Sequence, residues 1–242
     1  MKKIIDNIEI NYIEYGEGKP IVLLHGWGQN IQMMKFLGDK LNGKKIIIDF
    51  PGFGESMEPL SPFSVGDYSN LLYDFLLELG VDNPTLIGHS FGGRVSIKYA
   101  SIHKCDRVIL FGSPCIRYQK DPSRKEKLYK LFKNTIFGPM IMGIVASPDY
   151  KNASKIMRET LVKVVNEDLL EDAKKIDAPT LLIWGNNDKA VPIELARKQA
   201  ENMKNAAVIE LNGTHYAYIE NLNLVASIVN EFVYPKARIL KK

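Results

Sequence analysis

Cysteine is scarce in this chain: 242 residues hold only Cys105 and Cys115. The two have neither metal-ligand spacing nor the pattern of a disulfide framework, and a reduced, cytoplasmic setting is the simplest expectation. Long apolar runs are missing as well. None approaches the roughly 18 residues of a membrane span. The opening Met1-Lys2-Lys3-Ile4-Ile5-Asp6 meets an acidic residue too early for the apolar stretch of a secretory signal. There are no internal repeats and no low-complexity segments. A general basic face is absent too. The net charge is +4, but the excess gathers in two places. One is 117–133, where Arg117, Lys120, Arg124, Lys125, Lys127, Lys130 and Lys133 face only Asp121 and Glu126. The other is the tail, with Lys236, Arg238, Lys241 and Lys242. That distribution argues against a nucleic-acid binder. What remains, at 45% hydrophobic and 25% charged residues, is an ordinary globular composition with a sizeable core, long enough for one α/β domain.

Periodicity gives the order of elements. Two early strands, 3–10 and 11–15, read as antiparallel. A short buried strand follows at 21–24, then a helix at 31–41, a strand at 45–50 and a long amphipathic helix at 65–79. The run 85–88 leads through a turn into a helix ending near Ile102, and 107–111 is the next strand. A segment of about 116–175 then breaks the alternation. It is rich in Leu, Phe, Ile and Met and interrupted by Pro122, Pro139 and Pro148, which suits a helical cap better than a second domain. Strand 180–184, helix 193–203, strand 207–211 and helix 222–233 close the chain. Strands alternating with helices imply parallel crossovers and a sheet covered on both faces.

The most informative stretch is Gly88-His89-Ser90-Phe91-Gly92-Gly93-Arg94. Gly-x-Ser-x-Gly would occur about 0.08 times in a random chain of this length, and a serine in a glycine-rich turn is often only structural. Here, however, an apolar strand precedes it and a helix follows. In that context the serine sits on a sharp, strained turn with its hydroxyl exposed. Glycine is needed at 88 and 92 because side chains there would strike the adjoining strand and helix. Ser90 is therefore a candidate nucleophile.

With only four histidines in the chain, the base follows by elimination. His25 and His89 lie in glycine turns, where an imidazole more often serves the backbone. His103 falls at the polar end of a helix and reads as solvated. His215 lies in Asn212-Gly213-Thr214-His215-Tyr216, a loop at the carboxyl end of the last strand, where active residues gather in open α/β sheets. The acid that would orient it is Asp188, in the loop after Leu181-Leu182-Ile183-Trp184-Gly185. The alternative loop, Gly112-Ser113-Pro114, has no carboxylate, while Asp149, Asp172 and Asp177 belong to the insert or its exit. An oxyanion needs two donors. The Phe91 backbone N–H can supply one, and Trp27 in His25-Gly26-Trp27-Gly28 the other. The turn-rich segment Asp49–Ser56 reads as structural, shaping a wall near the site.

Together these motifs resemble the α/β-hydrolase superfamily over nearly the whole chain. His-Gly-Trp-Gly at 25–28, Asp-x-Pro-Gly-x-Gly-x-Ser at 49–56, Gly-His-Ser-Phe-Gly-Gly at 88–93, Trp-Gly-x-x-Asp at 184–188 and the Gly-x-His loop ending at 215 fall in that family's order. The resemblance implies an eight-stranded, mostly parallel sheet with a core at 1–115 and 176–242 and a helical cap at 116–175 after strand six. It also implies a nucleophile at Ser90, an acid at Asp188, a base at His215 and oxyanion donors at Trp27 and Phe91. Serine at position 90 disfavours the relatives that use an aspartate nucleophile. Within the superfamily, 25–28, 49–56 and Gly112-Ser113-Pro114-Cys115 are similar to the carboxylesterases that cleave pimeloyl-carrier methyl esters. Arg94 also occurs in the related menaquinone-pathway lyases.

The expectation is a serine hydrolase of carboxylic esters or thioesters, working through an acyl-enzyme with no cofactor or metal. Its partners would be a small acyl ester and, through the basic segment, an acidic acyl carrier. Two rivals stay open. One is a lyase or carbon–carbon bond hydrolase on the same scaffold; the other is a non-catalytic binder of the same fold.

Overall fold

The alternation of apolar residues along each central strand builds the molecule. In the strand Pro20–Leu24 (β3), Ile21 and Leu23 enter one apolar cluster while Val22 and Leu24 enter another on the opposite face. Successive side chains of a strand point to opposite sides, so a continuous apolar run demands cover on both. The structure, a computed structural model, describes residues 1–116 and 153–235.

Eight strands form one sheet in the order β1-β2-β4-β3-β5-β6-β7-β8. β1 (Lys2–Ile5) and β2 (Ile8–Tyr15) pair antiparallel, as do β2 and β4 (Lys44–Ile48). From β4 onward, through β3, β5 (Thr85–His89), β6 (Arg107–Phe111), β7 (Thr180–Gly185) and β8 (Ala206–Leu211), every pairing is parallel. One face of the sheet packs beneath α2 (Val65–Glu78) and α3 (Phe91–Ala100). The other lies against α1 (Ile31–Gly38) and α8 (Leu222–Val233). Between β6 and β7 the described residues include α4 (Lys155–Asn166) and α5 (Leu170–Ala173), and α6 (Ile193–Asn202) joins β7 to β8. A single helical turn, α7 (Ala217–Glu220), precedes α8. No helix among the described residues is long and apolar enough to cross a membrane.

The eight-stranded, mostly parallel sheet is the one expected from the sequence; the helix expected at 31–41 ends at Gly38, the strand expected at 45–50 ends at Ile48, and two further differences have local causes. The first strand ends at Ile5 rather than Ile10. Asp6 and Asn7 take φ of 48° and 64° and close a two-residue hairpin with Ile5 opposite Ile8. Two successive positive-φ residues are what a tight hairpin turn requires, and Asp and Asn tolerate that region better than other non-glycines. Second, α7 had no counterpart in the sequence pattern, because four residues are too few to display helical period. Of the expected insert at 116–175, the part at 117–152, including the whole basic segment, lies outside the described residues, as does the tail from 236.

Among the ties that hold the far end of that insert to the core, two meet the chain at 114–115. Leu169 N–H donates to the Cys115 carbonyl at 2.8 Å. The Arg94 guanidinium, on α3, donates to the Pro114 carbonyl at 2.8 Å, the Val164 carbonyl at 3.1 Å and the Glu167 carbonyl.

Candidate active site

Ser90 links β5 to α3 with φ 50° and ψ −107°. Among the described residues only Asp6, Asn7 and Asn83 share a positive φ without being glycine. Serine lacks the local compensation of Asn and Asp, and such a backbone costs about 1–3 kcal/mol unless its surroundings impose it. They do. Ser90 N–H donates to the Phe111 carbonyl at 2.8 Å, and Arg94 N–H reaches back to the Ser90 carbonyl at 3.2 Å. A Cβ on Gly88 would come within 2.4 Å of Gly93 Cα, and one on Gly92 within 2.3 Å of the Leu24 carbonyl oxygen. Both glycines are therefore required by contact, as the sequence suggested.

Asp188 follows β7 and is buried. Its Oδ1 accepts the N–H groups of Ala190 and Val191, each at 2.8 Å, and its Oδ2 lies 2.7 Å from His215 Nδ1. Burial alone would push this carboxyl up. The bond to His215 and the two backbone donors outweigh that cost and hold it below its ordinary value, so it stays an acceptor. A carboxylate at Nδ1 fixes the proton there and leaves Nε2 free to accept another.

The loop after β8 carries His215 sideways across the sheet. Gly185, at the end of β7, lets it pass: a Cβ there would lie 2.2 Å from the Thr214 carbonyl oxygen. Glu220 on α7 braces the crossing, accepting from Thr214 N–H at 2.7 Å and Thr214 Oγ1 at 2.5 Å. His215 thus reaches over the end of β6 toward β5. Among the described residues no hydrogen bond joins the Ser90 hydroxyl to His215. The two loops are instead connected through His89, whose Nε2 lies 3.1 Å from the His215 carbonyl oxygen.

On the other side of Ser90, β3 pairs directly with β5, with Leu24 opposite Gly88. The turn after β3 therefore leaves the sheet beside the serine turn. Phe91 opens α3, and the first N–H groups of a helix have no partner within it. The Trp27 indole packs edge-on between Phe53, at 4.8 Å, and Phe91, at 5.4 Å. Phe91 in turn meets Phe50 and Tyr68 at 5.0 and 4.9 Å. An aromatic wall stands next to the serine turn.

The remaining histidines have other duties. His25 Nε2 accepts Phe50 N–H at 3.0 Å, so its Nδ1 carries the proton and donates to the Gly26 carbonyl at 2.7 Å. Burial pushes its pKa down to about 4, and it stays neutral. His103 is not simply solvated: its ring stacks on Tyr73 with centroids 4.0 Å apart. Asp49 bears out its structural assignment. Its carboxylate accepts from Ile31 N–H, Asn11 Nδ2 and Glu55 N–H at 2.7, 2.8 and 2.9 Å, which fixes the 49–56 turn. Gln29 and Glu220 went unnoticed in the sequence, and Gly112 was named only as part of its loop, because nothing in their immediate neighbours announces a loop-to-loop contact.

Residues 19–139 match the family model for the alpha/beta hydrolase fold, and residues 161–235 match that for a TAP-like protein. The chain belongs to the α/β-hydrolase superfamily. It is similar to AB hydrolase superfamily protein YisY of Bacillus subtilis, with 24% identity covering 95% of this chain and 97% of that one. It is also similar to the pimeloyl-[acyl-carrier protein] methyl ester esterase of Aliivibrio fischeri, with 25% identity covering 84% and 88%. An esterase from Exiguobacterium antarcticum shares the fold with a TM-score of 0.78 at 22% identity, over 96% of this chain and 98% of the other.

Proposed function

We propose that the chain is a serine hydrolase of carboxylic esters or thioesters. One observation carries this most: a serine held at φ 50° stands at the same end of the sheet as a buried carboxylate 2.7 Å from a histidine. In the proposed cycle His215 Nε2 takes the proton from Ser90 Oγ as the oxygen attacks the ester carbonyl carbon. Asp188 keeps the imidazole oriented and offsets the positive charge it acquires. The N–H groups of Phe91 and Trp27 receive the oxyanion. Collapse of the tetrahedral species expels the alcohol or thiol, protonated by His215, and leaves an acyl-Ser90. Water, deprotonated by His215, then releases the acid.

The part-exposed rings of Trp27 and Phe53, packed against the buried Phe91, suit an apolar acyl group. For the carrier of that group, the support is the basic run at 117–133 together with the Aliivibrio fischeri relative, whose name states an acyl-carrier-protein ester. The chain would use them to approach an acidic acyl carrier. Cys105 and Cys115 are both free thiols, which accords with a cytoplasmic setting.

The test is labelling with a fluorophosphonate probe followed by a p-nitrophenyl ester series of increasing acyl length. The expected result is a single adduct on Ser90 and ester turnover that Ser90→Ala lowers by about 10⁴-fold or more, the size seen when one member of such a triad is lost. An Ala variant keeping more than about a tenth of the wild-type kcat would rule the assignment out, since triad losses run to ~10⁴.

A further inference from the structure

His89 is left unused by the cycle above, yet it is 1% exposed and engaged at both ring nitrogens. Nε2 lies 3.1 Å from the His215 carbonyl oxygen, and Nδ1 lies 3.1 Å from Gln29 Oε1. Gln29 belongs to the turn after β3: its Oε1 accepts Gly26 N–H at 3.0 Å, and its own N–H donates to the Gly26 carbonyl at 3.1 Å. One imidazole, adjacent in sequence to Ser90, therefore spans the loop that carries Trp27 and the loop that carries His215. It has little room to shift. A Cβ on Gly26 would lie 2.8 Å from its Nδ1, and Tyr218 packs on its ring at 4.8 Å.

A proton count assigns its state. Both atoms facing the ring are oxygens, and Gly26 N–H identifies the Gln29 atom as the amide oxygen rather than the nitrogen. A neutral imidazole has one N–H to give. Gln29 Oε1 already has a donor, whereas no backbone N–H among the described residues reaches the His215 carbonyl. The contact is partly buried, and a carbonyl shut off from water without a donor costs up to about 1–3 kcal/mol, so the proton is better placed on Nε2. A second proton is opposed: burial first, then the imidazole of His215, push His89 down to about 3.

We propose that His89 is a positioning residue: a neutral, Nε2-protonated imidazole that holds the His215 loop by its carbonyl and so sets the base against Ser90. This rests on the reading of His215 as the base.

Three variants separate the two ring contacts. A glutamine amide nitrogen reaches the place of Nε2, an asparagine amide nitrogen that of Nδ1, and leucine fills the space with no donor. His89→Leu should lower kcat for a p-nitrophenyl ester by about 10–100-fold, the cost of roughly an ångström of misplacement, with KM within about threefold. His89→Gln should recover most of that loss, and His89→Asn should stay with leucine. Nitrogen-15 spectra of the wild-type protein, with His89 assigned by the signal lost in His89→Gln, should show Nε2 protonated and Nδ1 bare from pH 5 to 8. Wild-type kcat in the leucine variant, rescue by Asn but not Gln, or an Nδ1-protonated ring would each overturn the proposal. Should His89→Leu fail to fold, judged by circular dichroism, the Gln and Asn pair and the wild-type spectra decide. A wild-type protein with neither ester turnover nor a fluorophosphonate adduct would count against the hydrolase reading instead, and the spectra would still judge the tautomer.

Discussion

At Gly112 the backbone takes φ 56°, and a Cβ would lie 3.0 Å from both Cε1 and Nδ1 of His215 and 3.5 Å from Asp188 Oδ2. This glycine is the floor under the paired side chains. Gly80 makes the comparison possible, with φ 66° and nothing within 4 Å of where a methyl group would sit. Alanine at either position bears the same backbone penalty of about 1–2 kcal/mol. Only at 112 does it also push on His215. Gly112→Ala should therefore lower kcat by about tenfold or more, while Gly80→Ala lowers the denaturant midpoint and leaves kcat at the wild-type value. Equal activity in the two variants would show that contact at Gly112 does not set the histidine. The contrast also marks what was readable at this scale. Ser90, Asp188 and His215 stood out because their own neighbours, turn glycines and strand ends, place them. Gln29, Gly112 and His89 act through contacts between distant loops, as with the 126 residues that separate His89 from His215, and no local pattern records such a contact.

Elements were legible in proportion to their length and regularity. The strand at 107–111 and the helix at 222–233 have the bounds their periodicity gave. The first hairpin did not, because Asp6-Asn7 interrupts an apolar alternation that reads as continuous. The junction between α3 and α4 was invisible, since Arg94 stood out only for its likeness to the lyases and nothing local showed what it would bind. It is buried and gives its guanidinium protons to three carbonyls from two separate segments, 114 and 164–167. Replacing it with Met keeps much of the bulk and orphans those acceptors, each at a cost of about 1–3 kcal/mol when no water replaces the donor. Arg94→Met should reduce the unfolding free energy by about 2 kcal/mol or more on that basis, measured as a lower urea midpoint. Arg94→Lys, which can reach one carbonyl, should fall between. A midpoint unchanged in Met would mean that the three bonds do not fasten α4 to the core.

Across the whole molecule, the parallel order gathers the candidate site at one end. The turns after β3, β5, β7 and β8 all leave from the carboxyl edge of the sheet, and they supply Trp27, Ser90, Asp188 and His215. Charge follows a different logic, since a net +4 is concentrated at 117–133 and in the tail. Both segments lie outside the described residues, and only their charge enters the argument. Long Lys and Arg side chains often do no more than solvate a surface. An acidic carrier bringing its acyl group to this chain would, however, be steered by them, which raises the association rate and makes it salt-sensitive. Reversing Arg124, Lys125 and Lys127 to Glu together should lower kcat/KM several-fold for an ester linked to an acyl carrier protein while sparing a short neutral p-nitrophenyl ester. The loss should shrink as ionic strength rises and the screening length falls below about 10 Å. Equal losses on the two substrates, or a carrier-linked rate indifferent to salt, would leave the basic segment as a solvated surface and remove the carrier from the proposed function.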